Sequence, residues 1–156
     1  MADKTEDTIH FLVITPDRVF LETEAYSVTI PATDGGMGIM RGHEPRVVSI
    51  TPGTVTVRDG EGVRHFFAAE GYCEISQSLV LIICNSAEWP DDISVRRIFE
   101  SYKKACDRLD MQNKDRSKVY PNDAQYMKQR ALARMRLIEN YGSESKKKRL
   151  AEFRGE

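Results

Sequence analysis

A β-sandwich followed by a pair of helices is the fold this chain predicts, and three observations carry the prediction. Strand-like runs separated by glycine-rich turns fill the first half of the chain. No helical period appears before residue 90. Two stretches of helical period then follow a Trp-Pro-Asp-Asp step at residues 89–92. The expected class is β + α: an N-terminal antiparallel β-sandwich of about ten strands, then a C-terminal antiparallel two-helix hairpin. The expected parts are a flexible N-terminus at 1–8, a β-sandwich docking domain at 9–88, a helical hairpin at 89–142 and a basic tail at 143–156.

The strands read in order. Residues 10–15 are apolar and partly β-branched. Tyr26, Val28 and Ile30 alternate with Ser27, Thr29 and Pro31, the period of a half-buried strand. Val55 and Val57 alternate in the same way, and residues 63–68 and 72–76 follow. Residues 79–84 are continuously apolar, as a central strand is. Asp34-Gly35-Gly36, Pro52-Gly53 and Asp59-Gly60 supply turns between the runs.

Pro90 closes the sheet region, and Asp91 or Asp92 is placed to cap a helix. Ile98, Tyr102, Ala105 and Leu109 recur at i, i+4, i+7 and i+11, which puts them on one helical face. The polar stretch 112–121 breaks that helix, and Asn122 or Asp123 can start another. Met127, Ala131, Met135 and Ile138 form its stripe, and Gly142 is a stop. The tail carries Lys146-Lys147-Lys148-Arg149 and either extends the second helix or stays mobile.

Composition narrows the function. The 156 residues suffice for one small domain plus an appendage. Six basic and thirteen acidic residues up to Glu88 give that part a net charge of −7, and the remainder carries +6. Opposite signs in the two halves point to different partners for each. The longest apolar run, 79–84, falls far short of the ~20 residues of a membrane span. The N-terminal stretch reads as neither a secretory signal nor a transit peptide, which favours a bacterial or plastid-encoded source.

Sites of chemistry are hard to find. Cys73, Cys84 and Cys106 lack the spacing of a zinc site or a redox dithiol, and free thiols are the plain reading. His10, His43 and His65 form no metal-ligand pattern with Glu44 or Glu70. No GxSxG is present, and residues 34–38 lack the Lys-Ser/Thr of a phosphate-binding loop. The basic half mixes its charges with acids and shows no nucleic-acid motif. Interaction with other proteins is the reading that remains, a basic helix pair suiting an acidic surface. The competing reading is a stand-alone small β-domain ligand-binding protein or enzyme with a helical appendage.

The run at 34–45, DGGMGIMRGHEP, together with Pro52-Gly53, resembles the epsilon subunit of rotary F-type ATP synthases. That family shows a Gly-x-Leu-Gly-Ile-x-x-Gly-His-x-Pro run, then a Pro-Gly that opens a strand. Gly36, Gly38, Ile39, Gly42, His43 and Pro45 match it. Met37 stands in the slot that holds leucine or, often, an acidic residue. Phe20 after an early turn, Glu70-Gly71 before a strand, and the step at 89–92 keep the same order, so the likeness spans residues 9–141.

The resemblance implies a non-catalytic rotor subunit of the central stalk. Its sandwich docks on the gamma subunit and on the membrane-embedded c-subunit ring, coupling ring rotation to the catalytic head. Its hairpin folds beside the sandwich or extends along gamma towards the alpha and beta catalytic subunits, where it impedes ATP hydrolysis. The implied location is peripheral, on the cytoplasmic face of the bacterial inner membrane, with the membrane met only through the complex. Carried over by position, the ring-facing residues are Met37, Met40, Arg41, Gly42 and His43. His43 otherwise shapes a turn. Arg130, Arg134 and Arg136 are the implied partners of acidic segments in the head, a role that suits the bidentate fork of arginine. No cofactor is implied except ATP, which some members hold through an Ile/Leu-Asp-x-x-Arg-Ala motif. Here the stretch 93–98 keeps Ile93 and Arg97 but has Ser94 for the acid and Ile98 for the alanine, so weak or absent ATP binding is expected.

Overall fold

The computed structural model describes residues 7–115 and 123–155. The chain divides into two compact units, Met1–Glu88 and Trp89–Glu156. Among its described residues the first holds nine strands: β1 (Ile9–Thr15), β2 (Arg18–Ala32), β3 (Gly35–Ile39), β4 (Arg46–Ile50), β5 (Gly53–Asp59), β6 (Gly62–Ala68), β7 (Gly71–Ile75), β8 (Leu79–Cys84) and β9 (Ala87–Glu88). The ladder runs β1-β8-β7-β4-β2-β5-β6-β9, with β3 also on β2.

The fifteen-residue β2 shapes this unit. Its first half pairs with β1, its second half pairs with β3 and β5, and Ala32 meets Ile50 of β4. Because β1 and β4 both return to β2, the path β1-β8-β7-β4-β2 closes on itself. The ring of Phe11 on β1 then lies 6.4 Å from that of Phe66 on β6, although those strands do not pair. Such a contact between non-neighbouring strands is how a sandwich fills its interior. Alternation along β1, β5, β7 and β8 sends Ile9, Phe11, Val13, Val55, Val57, Cys73, Ile75, Val80 and Ile82 inward, each at most 1% exposed.

One ladder departs from the antiparallel expectation. β1 and β8 are parallel, with His10 opposite Leu79 and Ile14 opposite Ile83. The glycine-rich stretch read as a turn is largely β3: Gly36 and Gly38 oppose Pro31 and Thr29 of β2. Asp59 is buried at the β5–β6 hairpin and accepts hydrogen bonds from Thr23, the Glu61 N–H and Arg64. Burial alone would raise its carboxyl. The Arg64 guanidinium and the two other donors outweigh burial and hold it below the usual carboxylate range.

Among its described residues the second unit holds a 3₁₀ turn (Pro90–Asp92) and three helices, α1 (Val95–Lys114), α2 (Asp123–Tyr141) and α3 (Glu144–Arg154). The expected stripes are present: Ile98 and Ala105 on α1, and Ala131, Met135 and Ile138 on α2, are buried. Arg108, late in α1, lies 4.0 Å from Asp123 at the start of α2. The end of α2 in turn reaches the 3₁₀ turn before α1, where the Ser143 N–H donates to Asp91 at 3.0 Å. The two helices are therefore antiparallel. The cap of α1 is Ser94, whose hydroxyl accepts from the Arg97 N–H, and not Asp91 or Asp92. The helix runs to Lys114, three residues into the stretch expected to break it. Residues 116–121 of that stretch, Asn122 as a cap and residues 1–6 of the expected flexible terminus lie outside the described residues.

Within the stretch 143–156, expected as a continued helix or a mobile tail, Glu144–Arg154 form the separate α3. Gly142 makes the corner, its N–H bonded to the Ile138 carbonyl at 2.9 Å. A Cβ there would meet that oxygen at 2.7 Å, so glycine is required by close approach.

Gly71 is required for the same reason in the first unit. A Cβ on it would run into the Ile83 carbonyl and lie 2.8 Å from the Cys84 Cα on β8. Gly71→Ala therefore lowers stability by about 2 kcal/mol by forcing two strands apart. Urea unfolding checks this, and an unchanged midpoint would contradict it.

Candidate docking surfaces

The loop between β3 and β4 has the exposure of a contact. Met40 is 63% exposed, and Arg41 and Gly42 are exposed beside it. Gly42 adopts φ of +83° and ties the loop to the β7–β8 turn through its N–H on the Gln77 carbonyl at 3.0 Å. His43 is half-buried. Its N–H reaches the Met40 carbonyl, and its Nδ1 lies 2.8 Å from the Glu44 carbonyl. Those bonds suit a residue that shapes the turn. Met37 is half-buried on β3 opposite Ile30 and stands apart from the loop tip. The structure thus gathers Met40, Arg41, Gly42 and His43 and leaves Met37 in the strand. An open hollow of ≈ 420 Å³ adjoins the loop, lined by Asp7, Tyr26, Met40, Arg41, Gly42 and Arg58. The Arg58 guanidinium lies over the Tyr26 ring at 5.8 Å.

A second surface was not foreseen from the sequence. The outward residues of β2, β1, β8, β7 and β4 fall into rows fixed by register. Val19, Ile14, Ile83, Tyr72 and Ser49 stand side by side in one row. Glu22, Leu12, Leu81, Glu74 and Val47 form the next, and Glu24, His10 and Leu79 a third. Val47 is 70% exposed, Tyr72 64%, Val19 55% and Ile83 53%. A contiguous apolar patch of this kind marks a protein interface far more often than a plain surface. The signal in the sequence was β1 and β8 themselves: IHFLVIT and LVLIIC are apolar on both parities. Continuous apolarity reads as a strand covered on both faces, whereas one face here is open.

His10 sits at the charged end of that face. Its Nδ1 is 2.6 Å from Glu24 and its Nε2 3.0 Å from Glu22, and the Thr8 hydroxyl donates to Glu24 at 3.2 Å. The Glu24 hydrogen bond, aided by Glu22, raises the imidazole above its ordinary value.

In the helical unit, Ile93 is buried and its carbonyl accepts from Lys146 Nζ at 2.6 Å. Ser94 is occupied as a helix cap, Arg97 is exposed, and Ile98 is buried at 3% exposure. Arg130 and Arg134 are half-buried and share a face of α2 at i,i+4. Arg136, two residues further, turns about 200° away and is exposed, so the three expected arginines do not form one cluster.

Cys73 and Cys84 are buried in strands, and Cys106 is half-buried. Burial pushes the Cys73 thiol up to about 12 and the Cys84 thiol up to about 11, leaving both protonated near neutrality. Among the described residues no group of three or more His, Cys, Asp and Glu gathers to hold a metal ion. No helix among them is long and apolar enough to cross a membrane.

The raised His10 pKa sets a sign. It stabilises the fold fully below the unfolded value of 6.5, and that benefit is lost as pH rises through the raised folded value. His10→Gln should therefore lower the melting temperature more at pH 5 than at pH 8. Equal losses at both would show that the two glutamates do not hold the charged imidazole.

Comparison with known proteins places this chain in a family. Residues 8–90 match the model of the ATP synthase delta/epsilon chain β-sandwich domain. The ATP synthase epsilon chain of Caldicellulosiruptor saccharolyticus is 31% identical over 130 residues, 81% of this chain and 90% of that one. That of Nitratidesulfovibrio vulgaris is 31% identical over 135 residues, 86% of this chain and 98% of that one. Among solved structures, a chain of the Euglena gracilis mitochondrial ATP synthase, solved as OSCP/F1/c-ring, matches with a TM-score of 0.61. It is 18% identical, and the match covers 89% of this chain and 82% of that one. A chain from the central stalk and c-ring of the Tetrahymena thermophila mitochondrial ATP synthase gives a TM-score of 0.51 at 12% identity, over 86% of this chain and 96% of that one. At those identities the two structures testify to the fold, while the family model and the curated epsilon chains testify to descent. This chain belongs to the ATP synthase delta/epsilon chain family.

Proposed function

We propose that the chain is a rotor part of the central stalk, coupling rotation of the c-ring through gamma to the catalytic head. The observation that carries this reading is the open face of β2, β1, β8, β7 and β4. Its apolar rows, led by Val19, Ile83, Tyr72 and Val47, suit a permanent partner, and gamma is that partner. Glu22, Glu24 and Glu74 on the same face favour basic residues around the apolar centre of the gamma surface. The exposed tip Met40-Arg41-Gly42 is the c-ring contact, with His43 shaping the turn behind it. No step of catalysis is assigned to this chain, and its tie to the membrane is peripheral, through the complex.

The helical unit is the regulatory part. Extended towards the alpha and beta subunits, it impedes ATP hydrolysis, with Arg130 and Arg134 meeting acidic segments as a pair and Arg136 acting separately.

Docking is tested by replacing the most exposed apolar residues. Tyr72→Glu and Val47→Glu, each on a solvent-facing strand position, should leave the melting temperature within a few degrees while weakening gamma binding at least tenfold. Wild-type affinity in both variants would place gamma elsewhere.

The helical unit does not hold ATP on this reading. The Ser94 hydroxyl is engaged as a cap, Ile98 fills buried space, and the Ile93 carbonyl is taken by Lys146. Calorimetry with millimolar ATP should give no saturable heat, and a clear saturable signal would overturn this.

A further inference from the structure

Helix α3 is held at both of its ends, to the segment leading into α1 at its start and to α1 and α2 themselves at its finish. At its start, the Ser143 N–H donates to the Asp91 carboxylate at 3.0 Å, and Lys146 Nζ donates to the Ile93 carbonyl at 2.6 Å. Both acceptors belong to the segment that leads into α1. At its finish, the Phe153 ring stacks on Phe99 of α1 at 5.3 Å and 14°. Arg154 meanwhile reaches α2, pairing with Glu139 and placing its guanidinium 3.8 Å from the Met135 sulfur. Leu150, midway, is 2% exposed.

From this geometry we infer that α3 is a strap across the helix pair, and that α1 and α2 separate only after α3 releases one of them. An eleven-residue helix is too short to persist alone in water, so a released α3 loses its helical order. That makes the strap a two-state element: docked and helical, or free and unfolded. Its grip is modest. Phe153 is 45% exposed, and the Arg154–Glu139 pair is about one-third exposed on each side, open to screening by salt. The Asp91 carboxyl is held below its usual range first by the Ser143 N–H and then by the Ser143 hydroxyl. The basic run Lys147-Lys148-Arg149 gives an acidic partner surface a handle on the strap. As regulation of the hairpin this rests on the proposed function, but as a property of the helix pair it does not.

The test is amide hydrogen exchange on the full-length chain, comparing wild type with Leu150→Ser, Phe153→Ala and Phe153→Tyr. Release of the strap should speed exchange in α1 and α2 about tenfold in the first two variants. Phe153→Tyr, which keeps the ring stack, should retain wild-type rates, and β1–β8 should exchange as before in all three. Wild-type rates in α1 and α2 for both Leu150→Ser and Phe153→Ala overturn the strap, whether or not α3 itself loosens. A second arm measures ATP hydrolysis by the catalytic head with gamma. Leu150→Ser and Phe153→Ala should inhibit at several-fold lower concentration than wild type, and equal potency overturns the regulatory role of the strap. A head that no form of the chain slows contradicts the proposed brake and leaves the exchange result standing.

Discussion

The β unit depends on one strand being long enough to serve two layers. β2 pairs with β1 near its start and with β3, β5 and β4 towards its end. At 3.3 Å per residue a fifteen-residue strand spans about 50 Å, which no flat small sheet accommodates, so the sheet folds over. Folding brings Phe11 and Phe66 together and sends Phe20 against Phe66 at 5.0 Å. It also fixes register, and register decides the outer face: slipping β8 by one residue would bury Ile83 and expose Ile82. The apolar outer face and the core are thus two sides of the same alternation.

Much of this was legible in the sequence. Val55 and Val57, or Val28 and Ile30, could face only one way in a half-buried strand, and turn glycines separated the runs. The sandwich, the helix stripes and the family likeness at 34–45 followed from local pattern. What escaped was non-local. The parallel β1–β8 ladder joins residues some seventy positions apart and leaves no trace in either segment. β3 passed for a turn because three of its five paired residues are glycines whose partners lie on another strand. Ser94 was passed over as a cap because Asp91 and Asp92 offered a better-known signal three residues earlier, and a proline between sheet and helix hid the intervening 3₁₀ turn.

The candidate contacts divided along the same line. The resemblance put Met37, Met40, Arg41, Gly42 and His43 on one ring-facing loop; Met40, Arg41 and Gly42 are exposed there, His43 is half-buried, and Met37 lies back in β3. Arg136 was grouped with Arg130 and Arg134 by proximity in sequence, although helical geometry turns it to another face. The apolar outer face needed the ladder before Val47, Tyr72, Ile83 and Val19 could be seen as neighbours. α3 needed the corner at Gly142 before Lys146 could be seen as an N-terminal tether and not part of a solvated tail.

Division of labour between the two units is the central claim: the β unit docks and the helical unit restrains. The cut that separates them must follow Glu88, because Ala87 and Glu88 pair with β6 and a shorter fragment would bare that edge. The most direct measurement is ATP hydrolysis by the catalytic head with gamma, comparing the full chain with a fragment ending at Glu88. The account predicts that both bind and that only the full chain slows hydrolysis. Equal inhibition by the two, or binding without inhibition by either, would contradict it.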